Sequence, residues 1–492
     1  MATGLLAATV IVSTRIARSQ QPDDADPAAA IGVAVEAGIR GRGVLHNARV
    51  GVSIIDITTG QTIYERDPDG RYNAASNAKL TTMAAALSQL GPDFQYETTI
   101  YADQWDRSST VKGDLFVVGR GDPSLDNEAL ARLVSQLQRA GITRVTGGLV
   151  VDDSYFDGEV LPPHFDEQPD EQKSFRAPVS ALSLNFNAVA AVVRPGTGSG
   201  APAVITLDPD NDYVTIVNNV STIKTGRTRL HVKLTEHRNS IEMKLVGRIR
   251  TDSTPRRVRR RITHPFEYFG SVLRQVVAHH GIHLGNRTAK RGSPPPSATP
   301  LASGTSQPLG VLVRGPGKFS NNFMAEAIFK TVGAESLNDV RPATWADAQL
   351  ATKQFLVQTV GLPDGSFRVD NGSGLFASNE LSPRQIATVL RVAYRDFRYG
   401  PEYVSSLAFA AADGTLSERM AEGPGERQVR AKTGTLSTVS ALSGYVAVDG
   451  TRPLAFSILV NDIPKRSGSL SAARSLQDDI AEALVIYLRT PR

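Results

Sequence analysis

The sequence predicts an α/β protein: one domain in two halves, separated by a long insertion that holds an α/β piece and a small β-rich piece nested within it. Three observations predict this. Helical and strand-like stretches mix at both ends of the 492-residue chain. Residues 188–250 alternate apolar and polar with no helical period. Gly292 to Gly304, with Pro294-Pro295-Pro296, has linker composition, and helical sequence resumes after it. The expected organisation is 1–25 as an export signal or disordered N-terminus, 26–92 and 305–492 as the split domain, 93–187 and 251–290 as the inserted α/β domain, 188–250 as the nested β-rich domain and 291–304 as the linker.

The elements follow in order. Leu5 to Val12 is an apolar run too short to span a membrane and suited to an export signal, although Arg15 and Arg18 follow it rather than precede it. No later run is long and apolar enough for a membrane helix. Asp26-Pro27 caps a helix through Ala37. Val50 to Ile55 and Gln61 to Tyr64 read as a hairpin turned at Thr58-Thr59-Gly60. Leu80, Met83, Ala84, Leu87 and Leu90 mark a helix with one apolar face.

In the insertion, Tyr96 to Ala102, Asp114 to Val118 and Leu149 to Asp152 read as strands, with a helix from the Asp126 cap to Ala140. Gly119-Arg120-Gly121-Asp122-Pro123 lacks the third glycine and the Lys-Ser/Thr ending of a nucleotide loop. Val204 to Leu207, Tyr213 to Val217, Leu230 to Leu234 and Ile241 to Val246 are the β-rich strands. Arg256 to Arg261 carries five arginines, as a solvated edge strand or a contact for an anionic polymer; it lacks the interleaved aromatics that stack bases, and no nucleic acid is expected. His279, His280 and His283 close a helix that starts near Glu267, without the carboxylate spacing of a metal site. Beyond the linker, Met324 to Val332, Trp345 to Val357, Pro383 to Tyr394 and Ser469 to Leu488 read as helices, and Ser443 to Val448 and Pro453 to Val460 as strands.

Composition narrows the chemistry. The chain is 41% hydrophobic and 21% charged, as globular proteins are, with a formal charge of +5 that suits an anionic polymer or surface. It has no cysteine, which excludes disulfides, thiolate catalysis and cysteine-based zinc sites.

Three short motifs remain. Ser76 and Lys79 stand three apart at the start of the apolar-faced helix, so hydroxyl and amine share a face. Ser320-Asn321-Asn322 is an S-x-N before another helix, and Lys432-Thr433-Gly434-Thr435 is a K-T-G entering a β region. Ser221 to Gly226 is a decoy, holding an S-x-x-K and a K-T-G that share Lys224, in strand-like sequence that cannot put serine and lysine on one helical face. The ordered triple is far more specific than any single pattern.

The chain resembles the penicillin-binding proteins that act as D-alanyl-D-alanine carboxypeptidases and endopeptidases and carry a large insertion after the nucleophile helix. Beyond the triple, the likeness includes Gly121 to Leu125, Val151 to Ser154, Ala177 to Asn185, Asn371 to Leu375, Asp413 to Leu416 and Ser440 to Tyr445. It implies a transpeptidase/β-lactamase-like domain, with a central antiparallel sheet flanked by helices, and no metal or cofactor.

By that resemblance Ser76 is acylated, Lys79 takes its proton, and Ser320 relays a proton to the leaving amine. Asn322 holds Lys79 and the substrate amide, Lys432 supplies positive charge, and Thr433 binds the terminal carboxylate beside Gly434. The amides of Ser76 and Thr435 form the oxyanion hole, and Asp152 either reaches the rim or is a buried carboxylate hydrogen-bonded locally. The implied substrate is the peptidoglycan stem, with β-lactams as inhibitors, in the periplasm or cell envelope; a homodimer is one option. Two other readings stand beside it, a non-catalytic wall-binding protein and a β-lactamase. The Arg314 to Lys318 stretch is expected to interrupt its helix, through Gly315, Pro316 and Gly317.

Overall fold

The computed structural model describes residues 27–168, 171–286, 288–337, 342–376 and 378–490; the apolar Leu5–Val12 run and the Asp26 cap lie outside them. A six-stranded sheet runs in the order Ala408–Phe409, Val429–Leu436, Val439–Val446, Leu454–Asn461, Arg49–Asp56, Thr62–Arg66. Every neighbouring pair is antiparallel. Arg49 lies opposite Asn461 and Asp56 opposite Leu454, so sequence from before the insertion pairs with sequence from after it.

The strands 439–446 and 454–461 are buried throughout. Alternation sends their side chains to two cores. Leu442, Phe456, Ile458 and Val460 pack with residues of the helices Pro27–Arg40 and Ser469–Arg489. Ala441, Tyr445, Ala455 and Leu459 pack with residues of Ala78–Leu90, Asn322–Ser336 and Pro383–Arg395.

The Ala78–Leu90 helix differs from the one-faced helix expected. It is buried on every side from Ala78 to Leu87, Lys79, Thr81 and Thr82 included. The polar groups inside it are satisfied locally: Thr81 Oγ1 donates to the Ala78 carbonyl and Thr82 Oγ1 to that of Gly372. Small residues at 84–86 let neighbouring elements close around it.

In the insertion, Thr110–Gly119 pairs with Glu97–Gln104 on one side and with Leu149–Asp152 and Arg144–Val145 on the other. The helices Asn127–Arg139 and Pro265–His279 pack on this sheet, the first capped by Asp126 Oδ1 accepting from the Ala129 amide. The expected linker is a correction. Thr299–Thr305 is a strand antiparallel to Glu97–Gln104, at the sheet edge, where Pro300 removes no needed donor.

Arg256–Arg261 is an edge strand beside Ala188–Arg194, which pairs in turn with Val204–Asp208. The basic run thus joins the β-rich strands rather than the α/β piece. Leu130, Tyr268, Met243 and Leu245 belong to one buried cluster, so the two pieces share a core.

Candidate active site

Ser76 sits in a 3-10 turn, Ala75–Asn77, just ahead of the buried helix. The turn is fixed before it starts: Ala75 has φ +45°, and its amide donates to Asn73 Oδ1 at 2.8 Å. One turn on, the Lys79 side chain is wholly buried. Its Nζ lies 3.0 Å from Ser76 Oγ, 2.7 Å from Asn322 Oδ1 and 2.7 Å from the Ser373 carbonyl.

While it is protonated, the amine donates to all three oxygens; once neutral, the same contacts assign its roles. A neutral lysine has two N–H groups and one lone pair. Asn322 Oδ1 and the Ser373 carbonyl can only accept, so they take the two N–H groups. The lone pair is left for the Ser76 hydroxyl, which donates to it. Burial pushes the Lys79 pKa down to about 7, against an opposing pull from Glu326. A base with that pKa is available at neutral pH.

Ser320 and Asn322 are placed by the stretch expected to break its helix. Arg314–Lys318 is helical, a correction to the sequence reading. Pro316 falls in the first turn, where its missing N–H would have no helical partner anyway. A Cβ on Gly315 would lie 2.2 Å from Met324 Sδ, and one on Gly317 would lie 2.2 Å from the Ser406 carbonyl oxygen. Glycine therefore lets this short helix dock against Asn322–Ser336. Ser320 links the two helices at φ +56°, and Asn321 caps the second, its Oδ1 accepting from the Met324 amide.

The third motif lies on the strand Val429–Leu436. Lys432 Nζ donates to Ser320 Oγ at 2.9 Å and to the Thr433 carbonyl at 2.7 Å. Burial, with a further push from Lys79, holds the Lys432 pKa well below the ordinary lysine value. Thr433 Oγ1 lies 2.8 Å from Thr415 Oγ1. A Cβ on Gly434 would come within 3.1 Å of the Ser76 amide nitrogen, so glycine lets the strand run flush against the nucleophile turn. Asn77 Nδ2 ties the same two elements by donating to the Lys432 carbonyl at 2.9 Å. Thr435 follows on that strand, its Oγ1 accepting from an Arg474 N–H at 3.4 Å.

The structure thus brings together Ser76, Lys79, Asn322, Ser320, Lys432, Thr433 and Gly434. Asp152 does not join them. It is buried, and its Oδ1 accepts from the Ser154 amide at 3.1 Å and the Ser154 hydroxyl at 2.6 Å. It lines a different cavity, with Arg120, Tyr155 and Glu335. The turn after its strand satisfies the carboxylate locally.

Two groups that the motifs do not reveal complete the site. Glu326 is buried one turn beyond Asn322 and accepts from the Gly372 and Ser373 amides, both at 2.8 Å. It holds the loop whose Ser373 carbonyl binds Lys79. Its signal was a carboxylate inside an apolar helical run, since a buried charge needs partners. Phe175, from the insertion, accepts a hydrogen bond from Asn322 Nδ2 at 3.1 Å through its carbonyl. Main-chain acceptors such as Ser373 and Phe175 leave no side-chain signature.

A prediction follows for Glu326→Gln. Glutamine must turn an N–H towards one of the two amides, and an unmet buried donor slows acylation about tenfold. Loss of the carboxylate charge also lowers the Lys79 pKa. The acylation rate of the wild type is expected to rise with pH through about 7 as Lys79 loses its proton, and the variant's rise is expected at lower pH. Stopped-flow acylation between pH 5 and 9 checks both effects.

The description of the family whose profile matches residues 33–484 is D-Ala-D-Ala carboxypeptidase 3 (S13). A D-alanyl-D-alanine carboxypeptidase of Actinomadura sp. is 31% identical over 457 residues, covering 90% of this chain and 82% of that protein. The D-alanyl-D-alanine carboxypeptidase DacB of Haemophilus influenzae is 24% identical over 418 residues, covering 84% and 85%. The crystal structure of penicillin binding protein 4 from H. influenzae superposes with a TM-score of 0.76 at 23% identity, over 91% of this chain and 99% of that one. A predatory peptidoglycan endopeptidase from Bdellovibrio bacteriovorus superposes with a TM-score of 0.53 at 16% identity, over 90% and 94%.

Proposed function

This chain belongs to the D-Ala-D-Ala carboxypeptidase 3 (S13) family, and from that premise we propose that Ser76 is its nucleophile and Lys79 its base. The protein is a serine-type D,D-peptidase, acting on D-Ala-D-Ala stem termini, on crosslinks formed through D-alanine, or on both. The observation that carries the residue assignment is the three-way contact of the Lys79 amine, with two acceptors fixed and its lone pair left for Ser76.

The reaction reads from that geometry. Lys79 takes the Ser76 proton as Oγ attacks the carbonyl carbon of the penultimate D-alanine. The oxyanion points to the amides of Ser76 and Thr435, and one such donor is worth about 3–4 kcal/mol. The C–N bond breaks, and the leaving nitrogen takes a proton through the Ser320 hydroxyl, which Lys432 holds by hydrogen bond. The Thr433 hydroxyl, backed by Thr415, receives the carboxylate on the leaving residue. Asn322 Nδ2 gives one hydrogen to Phe175 and keeps one for the substrate carbonyl. Water then cleaves the Ser76 ester, with Lys79 again as base. A β-lactam enters by the same first step, and its amine stays tethered to the acyl group.

A peptidoglycan substrate supports a location outside the cytoplasmic membrane, in the periplasm or cell envelope. Among the described residues no helix is long and apolar enough to cross a membrane.

The test is to incubate the purified chain with a D-Ala-D-Ala-terminated pentapeptide and, separately, with a crosslinked muropeptide dimer. Release of D-alanine or of monomer supports the reading. A folded protein that releases neither overturns it, and rapid turnover of penicillin in place of a lasting adduct points to a lactamase.

A further inference from the structure

A cavity of about 530 Å³ is lined by Ser320 and Asn322 and also by residues of the basic strand of the insertion. Ala188 and Ala190, small residues of the central strand, line it. Arg257 and Arg259 line it from the neighbouring edge strand, where Arg259 lies opposite Ala190. Phe175, Phe186 and Phe319 line it as well. All three rings are exposed, Phe319 to 69%, although large apolar side chains are ordinarily buried.

The loop behind this wall is held in an unfavourable shape. Asn185, Phe186 and Asn187 all have positive φ, at 51°, 61° and 47°. Asn187 anchors it, donating to the Pro178 carbonyl at 2.9 Å and to Ser183 Oγ at 2.8 Å. Three successive left-handed non-glycine residues cost free energy, and the loop they form sets the Phe186 ring edge-on to Phe323, centroids 6.0 Å apart.

The two arginines differ. Arg257 is paired with Asp208. Arg259 has no side-chain partner among the described residues, and it lines a cavity whose wall also carries the carboxylates of Asp126, Glu128 and the Arg257-paired Asp208.

We propose that this cavity is a subsite for the leaving strand of a crosslinked peptidoglycan dimer. Its aromatic wall takes the aliphatic part of the leaving stem, and Arg259 pairs with a stem carboxylate. The inference rests on the proposed role of Ser320 as the group that protonates the leaving nitrogen. The departing amine must lie at Ser320, and Ser320 and Asn322 both line the cavity. A single D-alanine leaving group ends at Thr433 and does not reach the insertion. A leaving stem continues past Ser320, and the space open to it there is lined by Arg257 and Arg259. Guanidinium and carboxylate match in charge and in planar geometry. The basic run of the insertion then distinguishes crosslink cleavage from terminal trimming.

The test compares two substrates in the full chain: a crosslinked muropeptide dimer and a pentapeptide that releases one D-alanine. For Arg259→Glu, kcat/KM on the dimer is expected to fall about tenfold relative to kcat/KM on the pentapeptide, and Arg259→Lys to recover part of the loss. Phe186→Ala is expected to lower the same ratio. Equal losses on both substrates, or no change in the ratio, overturn the subsite. A wild type that trims the pentapeptide but leaves the dimer intact also overturns it, while the serine-peptidase assignment survives. Loss of both activities together with penicillin acylation in the wild type would instead defeat that assignment.

Discussion

Ser76→Ala leaves a folded protein that takes up no β-lactam and releases no D-alanine. The hydroxyl is the only group on that side chain that the reaction uses, and its oxygen forms the acyl bond. Ser76 is partly exposed in a turn set by Ala75 and Asn73, so the lost oxygen removes little packing. Stability within about 0.5 kcal/mol of the wild type is expected, as for a substitution outside the core. The contrast between an unchanged melting transition and complete loss of labelling separates chemistry from folding. Labelling with fluorescent penicillin, followed by denaturing electrophoresis, measures the one; thermal unfolding measures the other. Residual stable labelling would place the nucleophile elsewhere.

Lys79→Ala lowers the acylation rate by about 10²–10⁴-fold, the span typical of a missing general base. The variant keeps Ser76 and the proposed oxyanion donors, so some acylation is expected to persist. What is missing is an acceptor for the Ser76 proton within 3.0 Å. Alanine also strands Asn322 Oδ1 and the Ser373 carbonyl, which lose their shared donor. Against that, the fold is freed of an amine that is costly to bury, so the variant is expected to unfold within a few degrees of the wild type. The acylation rate of the variant should also lose its rise through about pH 7, since the titrating group is gone. A variant that acylates at the wild-type rate would show that another group takes the proton.

The sequence carried the three motifs because each is a run of side chains that chemistry needs together. It rejected the decoy on grounds that the structure bears out: Ser221 lies in the strand Val214–Ile223, and Ser221 and Lys224 are both exposed. The last two strands were legible because both faces are buried, though the first was expected at Ser443 to Val448 and lies at Val439–Val446. The helix after Ser76 was legible in its period but not in its burial, since hydrogen bonds from Thr81 and Thr82 let polar residues sit inside.

Arg314–Lys318 misled because proline breaks a helix only beyond the first turn, and residue types alone do not fix where the turn begins. Thr299–Thr305 misled because prolines at a sheet edge look like those of a linker. Of the two readings of Asp152, the structure favours the buried, locally bonded one, which sequence could not select because it does not show Ser154 satisfying the carboxylate. Glu326 was visible as a carboxylate in an apolar run, yet its partners are amides more than 40 residues away. Only the fold brings those groups into one place.

The central claim is that the buried Lys79 amine, neutral near pH 7, draws the proton from Ser76 and makes it the acylated residue. The direct measurement is to react the wild type with benzylpenicillin across pH 5–9, digest it, and locate the adduct by mass spectrometry while timing its formation. The account predicts a penicilloyl mass on the peptide containing Ser76, formed at a rate that rises through about pH 7. An adduct on any other residue, or a rate at Ser76 that shows no rise through pH 7, as for a lysine with its ordinary pKa near 10.4, would contradict it.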